Sequence, residues 1–247
     1  MMNEETRRKL RELSLEEMIA AVDIQAADAR YASLPFEDRF KMLVDYVYQE
    51  KYTGKVKRLM KHARFRIPSA DVHDIYYVDR HLDREQLLSL STCQFVSDGR
   101  AVVFQGFTGS GKSYLACALG KEACKRGIRT RYIRMPDLLM EWEEAKELPH
   151  GIPKLLKKYG NYTLLILDEW LIQAPDEPQL HFLFELIERR YAESATIFCT
   201  QYKFEDWHTR LGGGVLADSI LDRVIHQAIS VYAGDLNMRE LLAARGE

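Results

Sequence analysis

The sequence has 247 residues, of which 47% are hydrophobic and 29% charged, and its formal net charge is −2. This composition is typical of a soluble globular protein, and the length allows either one domain or one domain with a small additional one. The balance of charges excludes a polycation, and no apolar run approaches the ~20 residues that a membrane span requires.

The N-terminus and the cysteines indicate the compartment. The first residues, MMNEETRRKLREL, lack the apolar core of a signal peptide. The four cysteines are scattered without metal-ligand spacing, and Cys117 and Cys199 lie in the apolar surroundings that are typical of buried thiols. We therefore expect reduced thiols and a cytoplasmic protein without membrane contact.

The first 66 residues have a helical pattern. Ser14 followed by Glu17 is a possible capping box, which predicts that two helices meet there. A further helix is predicted over 35–52, with Pro35 in its first turn. Pro68 ends the pattern. The sequence thus predicts a small all-helical domain at 1–68 and a second domain at 69–247.

A basic segment runs from Lys51 to Arg66 and contains no acidic residue. Its pattern allows two interpretations, a solvated helix face or a surface that contacts the phosphates of nucleic acid. The candidate DNA-binding residues of this segment are Lys55, Lys57, Arg58, Lys61 and Arg64.

From Ala101 onward, short apolar runs alternate with helical patterns, which predicts an α/β fold with a parallel sheet between helices. The predicted strands are 101–105, 129–135, 163–167, 195–199 and 228–232. The predicted helices are 84–90, 114–126, 137–146, 152–159, 177–191, 216–226 and 237–244.

The first predicted strand leads into GFTGSGKS, which matches the phosphate-binding P-loop G-x-x-x-x-G-K-[ST]. The glycines let consecutive N–H groups point at one anion, and the helix that follows adds positive potential. Lys112 is expected to reach the β- and γ-phosphates, and the Ser113 hydroxyl to hold Mg²⁺. The residues expected to contact a nucleoside triphosphate are Gly106, Phe107, Thr108, Gly109, Ser110, Gly111, Lys112, Ser113 and Tyr114.

The run LLIL before Asp168 and Glu169 has the Walker B pattern. Asp168, at the carboxyl end of a buried strand, is a candidate Mg²⁺ ligand, and Glu169 is a candidate general base for an attacking water. Two acids also mark many solvent-facing strand ends. The P-loop upstream favours the catalytic interpretation and predicts hydrolysis of ATP.

Three further polar residues are site candidates. Thr200 follows the next strand, where it either orients the attacking water or forms an ordinary exit from strand to loop; the position at the strand's carboxyl end favours the first. Arg223 is either a surface residue paired with Asp222 or Asp218, or an arginine finger given to the nucleotide of a neighbouring subunit. Arg239 either contacts the phosphates bound by its own chain or lies on the surface at a helix end.

The order of these motifs resembles the IstB-like ATPases, insertion-sequence transposition helpers related to the bacterial helicase loader DnaC within the AAA+ class. The segments that carry the resemblance are GFTGSGKS, LLILDE, CTQ, ILDRVIH and NMRE. It implies an AAA+ P-loop NTPase with a five-stranded parallel sheet, preceded by a small helical domain. It also implies a homo-oligomer that assembles on duplex DNA with ATP and Mg²⁺ and delivers target DNA to a transposase.

Residue by residue, the resemblance makes Thr200 the sensor-1 residue, Arg223 the arginine finger and Arg239 the sensor-2 residue. Many relatives have Asp-Asp-Phe where this chain has Asp-Glu-Trp, a departure that favours Glu169 as the base. AAA+ initiators and loaders often carry a DNA-facing helix between the second and third strands. This makes a second basic cluster a candidate DNA contact, namely Lys154, Lys157 and Lys158.

There are two alternative functions, of which only the first shares the proposed ATPase core. A DnaC-like helicase loader differs only in the partner of its N-terminal domain, which one sequence does not decide. A P-loop kinase acting on a small molecule is disfavoured, because no lid or substrate-binding insertion is evident and Glu169 suits activation of water.

Overall fold

The computed structural model of the chain describes residues 2–78 and 80–245. The chain forms two compact units, Met1–Arg58 and Leu59–Glu247. The division between the two units falls inside a helix, ten residues before residue 68. The expected domain boundary at 68 stays a prediction. Among the described residues, no helix combines the length and the apolar character needed to cross a membrane.

The N-terminal unit is helical. It contains α1 (Glu4–Glu12), α2 (Glu16–Ala27) and the first part of α3 (Phe36–Ala63). Two helices meet at Ser14, as predicted, but the prediction of a capping box formed by Ser14 and Glu17 is wrong. Ser14 has φ +56° and its N–H donates to Arg11, so it closes the last turn of α1, and α2 begins without a side-chain cap.

The helix α3 is longer than expected. It has 28 residues and continues through Gly54 to Ala63, inside the basic segment, whereas the sequence predicted an end near residue 52. A mid-helix glycine costs about 1 kcal/mol relative to alanine, and the lysines, arginine, leucine and methionine that follow are good helix formers that offset it. The helix ends where Arg64 adopts φ +55°.

The second unit is built on a five-stranded parallel sheet. Its strands are β1 (Val102–Gln105), β2 (Thr130–Arg134), β3 (Leu164–Asp168), β4 (Ala195–Thr200) and β5 (Ile229–Tyr232). Their order is β2-β3-β4-β1-β5, and every neighbouring pair is parallel. All carboxyl ends therefore lie at one edge, where β4 separates the strand of the P-loop from the Walker B strand.

Helices cover both faces of this sheet. The helices of the second unit that follow α3 are α4 (Arg84–Ser91), α5 (Gln94–Ser97), α6 (Lys112–Lys125), α7 (Met135–Lys146), α8 (Gly151–Gly160), α9 (Glu177–Arg190), α10 (Phe204–Arg210), α11 (Gly214–Ile225) and α12 (Met238–Arg245). Successive strand residues face opposite layers: Phe104 packs in the core with α4 and α6, and Val103 in the core with α7, α9 and α11.

The expected fold class, a five-stranded parallel sheet between helices with a helical region before it, is confirmed. Every predicted strand is present within one residue of its expected bounds. The helices α5 and α10 were not predicted, because such short elements carry little periodicity. The four cysteines are free thiols and buried, as expected for Cys117 and Cys199.

Candidate functional site

The P-loop connects β1 to α6, and two of its glycines have left-handed backbones, Gly109 at φ +92° and Gly111 at φ +90°. The Lys112 ammonium donates to the carbonyls of Gly106 and Phe107, each at 2.7 Å. Burial lowers the pKa of Lys112. An ammonium held by two carbonyls in a partly desolvated loop is well placed to exchange them for phosphate oxygens.

The C-terminal segment packs directly against the P-loop. The N–H of Met238 donates to the Gly109 carbonyl at 2.9 Å. A Cβ at Gly109 would lie 2.3 Å from Oδ1 of Asn237, so only glycine fits there. Arg239 lines the same cavity as the P-loop, a space of about 450 Å³.

Asp168 is the last residue of β3 and is 2% exposed. Its Oδ2 accepts hydrogen bonds from Ser113 Oγ and Tyr132 Oη, both at 2.6 Å, and its Oδ1 accepts from the Glu169 N–H at 2.8 Å. A serine hydroxyl and a carboxylate in contact beside a P-loop fit Mg²⁺, which prefers one or two protein oxygens together with phosphates and water. No described group of three or more acidic, histidine or cysteine side chains offers another metal site.

Glu169 follows in a left-handed conformation with φ +55°. Its two carboxylate oxygens face two arginines: Oε1 lies 2.8 Å from Nη1 of Arg66, and Oε2 lies 3.4 Å from Nη1 of Arg134. The sequence pointed to Glu169 but not to these partners. Arg66 stands in the basic segment, where a phosphate contact was the functional interpretation, and Arg134 belongs to a strand pattern.

Thr200 ends β4 and is buried, next to the P-loop strand. Its carbonyl accepts from the Gly106 N–H at 3.2 Å, and its hydroxyl accepts from the Tyr202 N–H at 3.1 Å. The neighbouring Gln201 accepts from the Thr108 hydroxyl at 3.1 Å. The structure therefore brings most of the expected site residues to one cavity, which Lys112, Ser113, Asp168, Glu169, Thr200 and Arg239 line together.

Arg223 lies elsewhere, on α11. It forms an ion pair with Glu188 of α9, and its guanidinium lies 5.2 Å from the centre of the Phe184 ring. The expected surface pairing with Asp218 or Asp222 is wrong, because these aspartates pair with His208 and His226 instead. Arg223 does not line the cavity of its own chain.

Arg80 is a residue of the site that the sequence did not indicate. It is 8% exposed and donates to the carbonyls of Ser110, at 2.6 Å, and of Tyr76, at 3.0 Å, as well as to Ala233. Burial lowers its pKa. Arg80 lies in the irregular segment before α4, where no sequence motif or spacing marks it. Its position under the P-loop is therefore evident only from the fold.

The two basic clusters differ in their partners. Within the described residues, none of the first set forms an ion pair, and all five are exposed: Lys55, Lys57, Arg58, Lys61 and Arg64. In the second set, Lys158 pairs with Glu141 at 2.7 Å and lies over the Tyr159 ring. Lys154 and Lys157 are exposed on the same helix, α8.

Comparisons with known proteins agree on one family. Residues 8–242 match the family described as IstB-like ATP binding protein. The putative insertion sequence ATP-binding protein y4uH of Sinorhizobium fredii is 30% identical over 241 residues, which are 98% of this chain and 97% of that protein.

Two solved structures have a similar fold. One is the replication initiator DnaA bound to AMPPCP and single-stranded DNA, with a TM-score of 0.57, 20% identity and coverage of 72% of this chain and 56% of that chain. The other is the DnaC helicase loader, with a TM-score of 0.51, 23% identity and coverage of 66% of this chain and 96% of that chain.

Proposed function

Because this chain belongs to the family of IstB-like ATP-binding proteins of insertion sequences, we propose that it hydrolyses ATP, oligomerises on duplex DNA and assists a transposase in the cytoplasm. The observation that carries the proposal is the single cavity that joins the P-loop, Asp168, Glu169 and Thr200 at the carboxyl edge of the sheet. Ligands of open parallel sheets bind at this edge.

In the proposed reaction, the P-loop N–H groups and Lys112 bind the triphosphate. Ser113 and Asp168 would hold Mg²⁺, which would neutralise phosphate charge when bound. Glu169 accepts the proton of the attacking water, and the Thr200 hydroxyl orients that water. Arg239, beside the P-loop, contacts the phosphates within its own chain.

In this proposal, a neighbouring subunit of the oligomer supplies a further positive charge to the γ-phosphate. Arg223 lies outside its own nucleotide cavity, so we assign it to the γ-phosphate of a neighbouring subunit, as an arginine finger in trans. The partners proposed are further copies of this chain, duplex DNA and a transposase.

The central experiment measures phosphate release from ATP with and without duplex DNA. We expect Mg²⁺-dependent hydrolysis whose rate changes on DNA, and loss of hydrolysis with retained ATP binding in Glu169→Gln, because an amide cannot accept the proton. A phosphorylated small-molecule product would instead indicate a kinase. Normal hydrolysis by Glu169→Gln would show that another residue is the base.

The DNA-binding surface is tested with two triple substitutions. Neutralising Lys57, Arg58 and Lys61 should weaken duplex binding for all sequences alike and lower the salt slope by up to about 3, since each neutralised phosphate releases counterions. The matched triple replaces Lys154, Lys157 and Lys158. A slope that falls only in this second triple would move the DNA contact to α8. Stable binding to a replicative helicase but not to a transposase would favour the loader.

A further inference from the structure

The Walker B aspartate has a hydrogen-bond donor that belongs to neither nucleotide motif. Tyr132 lies on β2, opposite Ile166 of β3, and is 6% exposed. Its hydroxyl donates to Oδ2 of Asp168 at 2.6 Å. Because β2 is a neighbour of the Walker B strand, the tyrosine ring reaches along the sheet to the strand's last residue.

This donor works on a carboxylate that is almost completely buried. Among the described residues, no arginine, lysine or histidine forms an ion pair with Asp168, and the donors of its hydrogen bonds are neutral groups. The main-chain N–H of Glu169 holds Oδ1, and Ser113 and Tyr132 hold Oδ2. Together these donors fix the plane of the carboxylate, and with it the direction of the oxygen lone pairs.

The chemistry of Tyr132 suits this role. A phenol hydroxyl that meets an acceptor-only carboxylate is the donor of the pair, and Tyr132 is buried where no bulk water competes for that hydrogen bond. Ser113 has a second role in the site, because its oxygen is also a candidate metal ligand. The Tyr132 hydroxyl donates to Asp168, and its oxygen also interacts with the Arg66 side chain.

We propose that Tyr132 is a positioning residue whose hydroxyl holds Asp168 in the orientation in which this carboxylate and Ser113 bind Mg²⁺. The inference rests on the proposed nucleotide site and names a residue that its motifs do not contain. Outer hydrogen-bond partners of metal ligands typically change metal affinity 10- to 100-fold when they are removed. Loss of the hydroxyl should therefore weaken Mg²⁺ binding and leave the metal-free contacts to the nucleotide unchanged.

The test uses Tyr132→Phe, which removes one oxygen and keeps the ring. Anisotropy of a fluorescent, non-hydrolysable ATP analogue is followed as Mg²⁺ is added, so that the readout is binding and not turnover. We expect the half-saturating Mg²⁺ concentration to rise about tenfold or more. The affinity for the analogue in EDTA should not change. If Tyr132→Phe does not fold, Tyr132→Met, which also lacks a donor, should give the same shift.

The chain offers a matched control in Tyr159. This tyrosine is also buried, and its hydroxyl donates to a carboxylate, Oε2 of Glu141, at 2.8 Å outside the nucleotide cavity. Tyr159→Phe should leave the Mg²⁺ dependence at the wild-type value. An equal shift in both variants would show a general effect of lost stability and overturn the inference.

A double-mutant cycle separates positioning from any direct role. If Tyr132 acts through Asp168, adding Tyr132→Phe to Asp168→Asn should cause no further change in Mg²⁺ dependence. A second, independent shift would overturn the inference. An unchanged Mg²⁺ dependence in the single variant would overturn it while the proposed ATPase stands. Failure of the wild-type protein to bind the analogue would instead overturn the proposed function itself.

Discussion

Replacing Arg66 by methionine is expected to raise the basal rate of ATP hydrolysis. Nη1 of Arg66 lies 2.8 Å from Oε1 of Glu169 and thus occupies an oxygen that the proposed base needs for the proton of water. The second oxygen faces Arg134 at 3.4 Å. Methionine keeps an unbranched apolar stem in place of the arginine stem and removes only the charged group.

The magnitude follows from the exposure of the pair. The side chains of Arg66 and Glu169 are 42% and 25% exposed, so solvent screens their attraction, and such pairs are worth at most about 1 kcal/mol. If hydrolysis first requires this pair to open, its removal lowers the barrier by the same amount. A change of about 1 kcal/mol corresponds to a rate increase of about fivefold.

The assay is steady-state phosphate release at saturating ATP and Mg²⁺, without DNA. The matched control is Arg126→Met, because Arg126 has the same 42% exposure and pairs with Glu122 at 2.9 Å on α6, away from the cavity. The control should keep the wild-type rate. A tenfold fall in kcat for Arg66→Met would refute the reasoning, since it would show that Arg66 stabilises the transition state.

Three further predictions concern stability and assembly. Arg190 is 3% exposed and donates to main-chain carbonyls and Thr196, so Arg190→Met should lower the free energy of unfolding by about 3–5 kcal/mol in urea titrations. Burial raises the pKa of the Cys117 thiol to about 11, so the protonated thiol contributes stability that is complete below pH 9 and is lost between pH 9 and 11. Cys117→Ala should make this fall in the free energy of unfolding smaller by up to about 2 kcal/mol. Arg223→Ala protomers should regain hydrolysis when mixed with Glu169→Gln protomers, and intact assemblies without rescue at any ratio would contradict a finger in trans.

The sequence was most informative for those parts of the site that are formed by a few consecutive residues. The P-loop glycines and the apolar run before Asp168 are local patterns, and the edge at which they meet follows from parallel strand order. Thr200 was found for the same reason, since it ends the strand between them. The predicted strands were accurate within a residue because buried parallel strands are almost continuously apolar.

The site residues that the sequence did not indicate act through partners that are distant along the chain. Arg66 pairs with an acid 103 positions later, and Arg80 donates to a carbonyl 153 positions later. Their side chains have no fixed neighbours until the sheet has formed, so no spacing rule identifies them. For Tyr132 the sequence contains one indication: a tyrosine within a buried strand needs a hydrogen-bond partner for its hydroxyl.

The contact between Gly109 and Asn237 has a practical consequence for handling the protein. The helix α12 follows directly after Asn237, whose side chain occupies the space left free by the P-loop glycine Gly109. Removing the residues from Asn237 onward would leave the Gly109 carbonyl without its donor and the loop without its packing partner. Such a truncation is expected to lower nucleotide affinity even though both Walker motifs are intact.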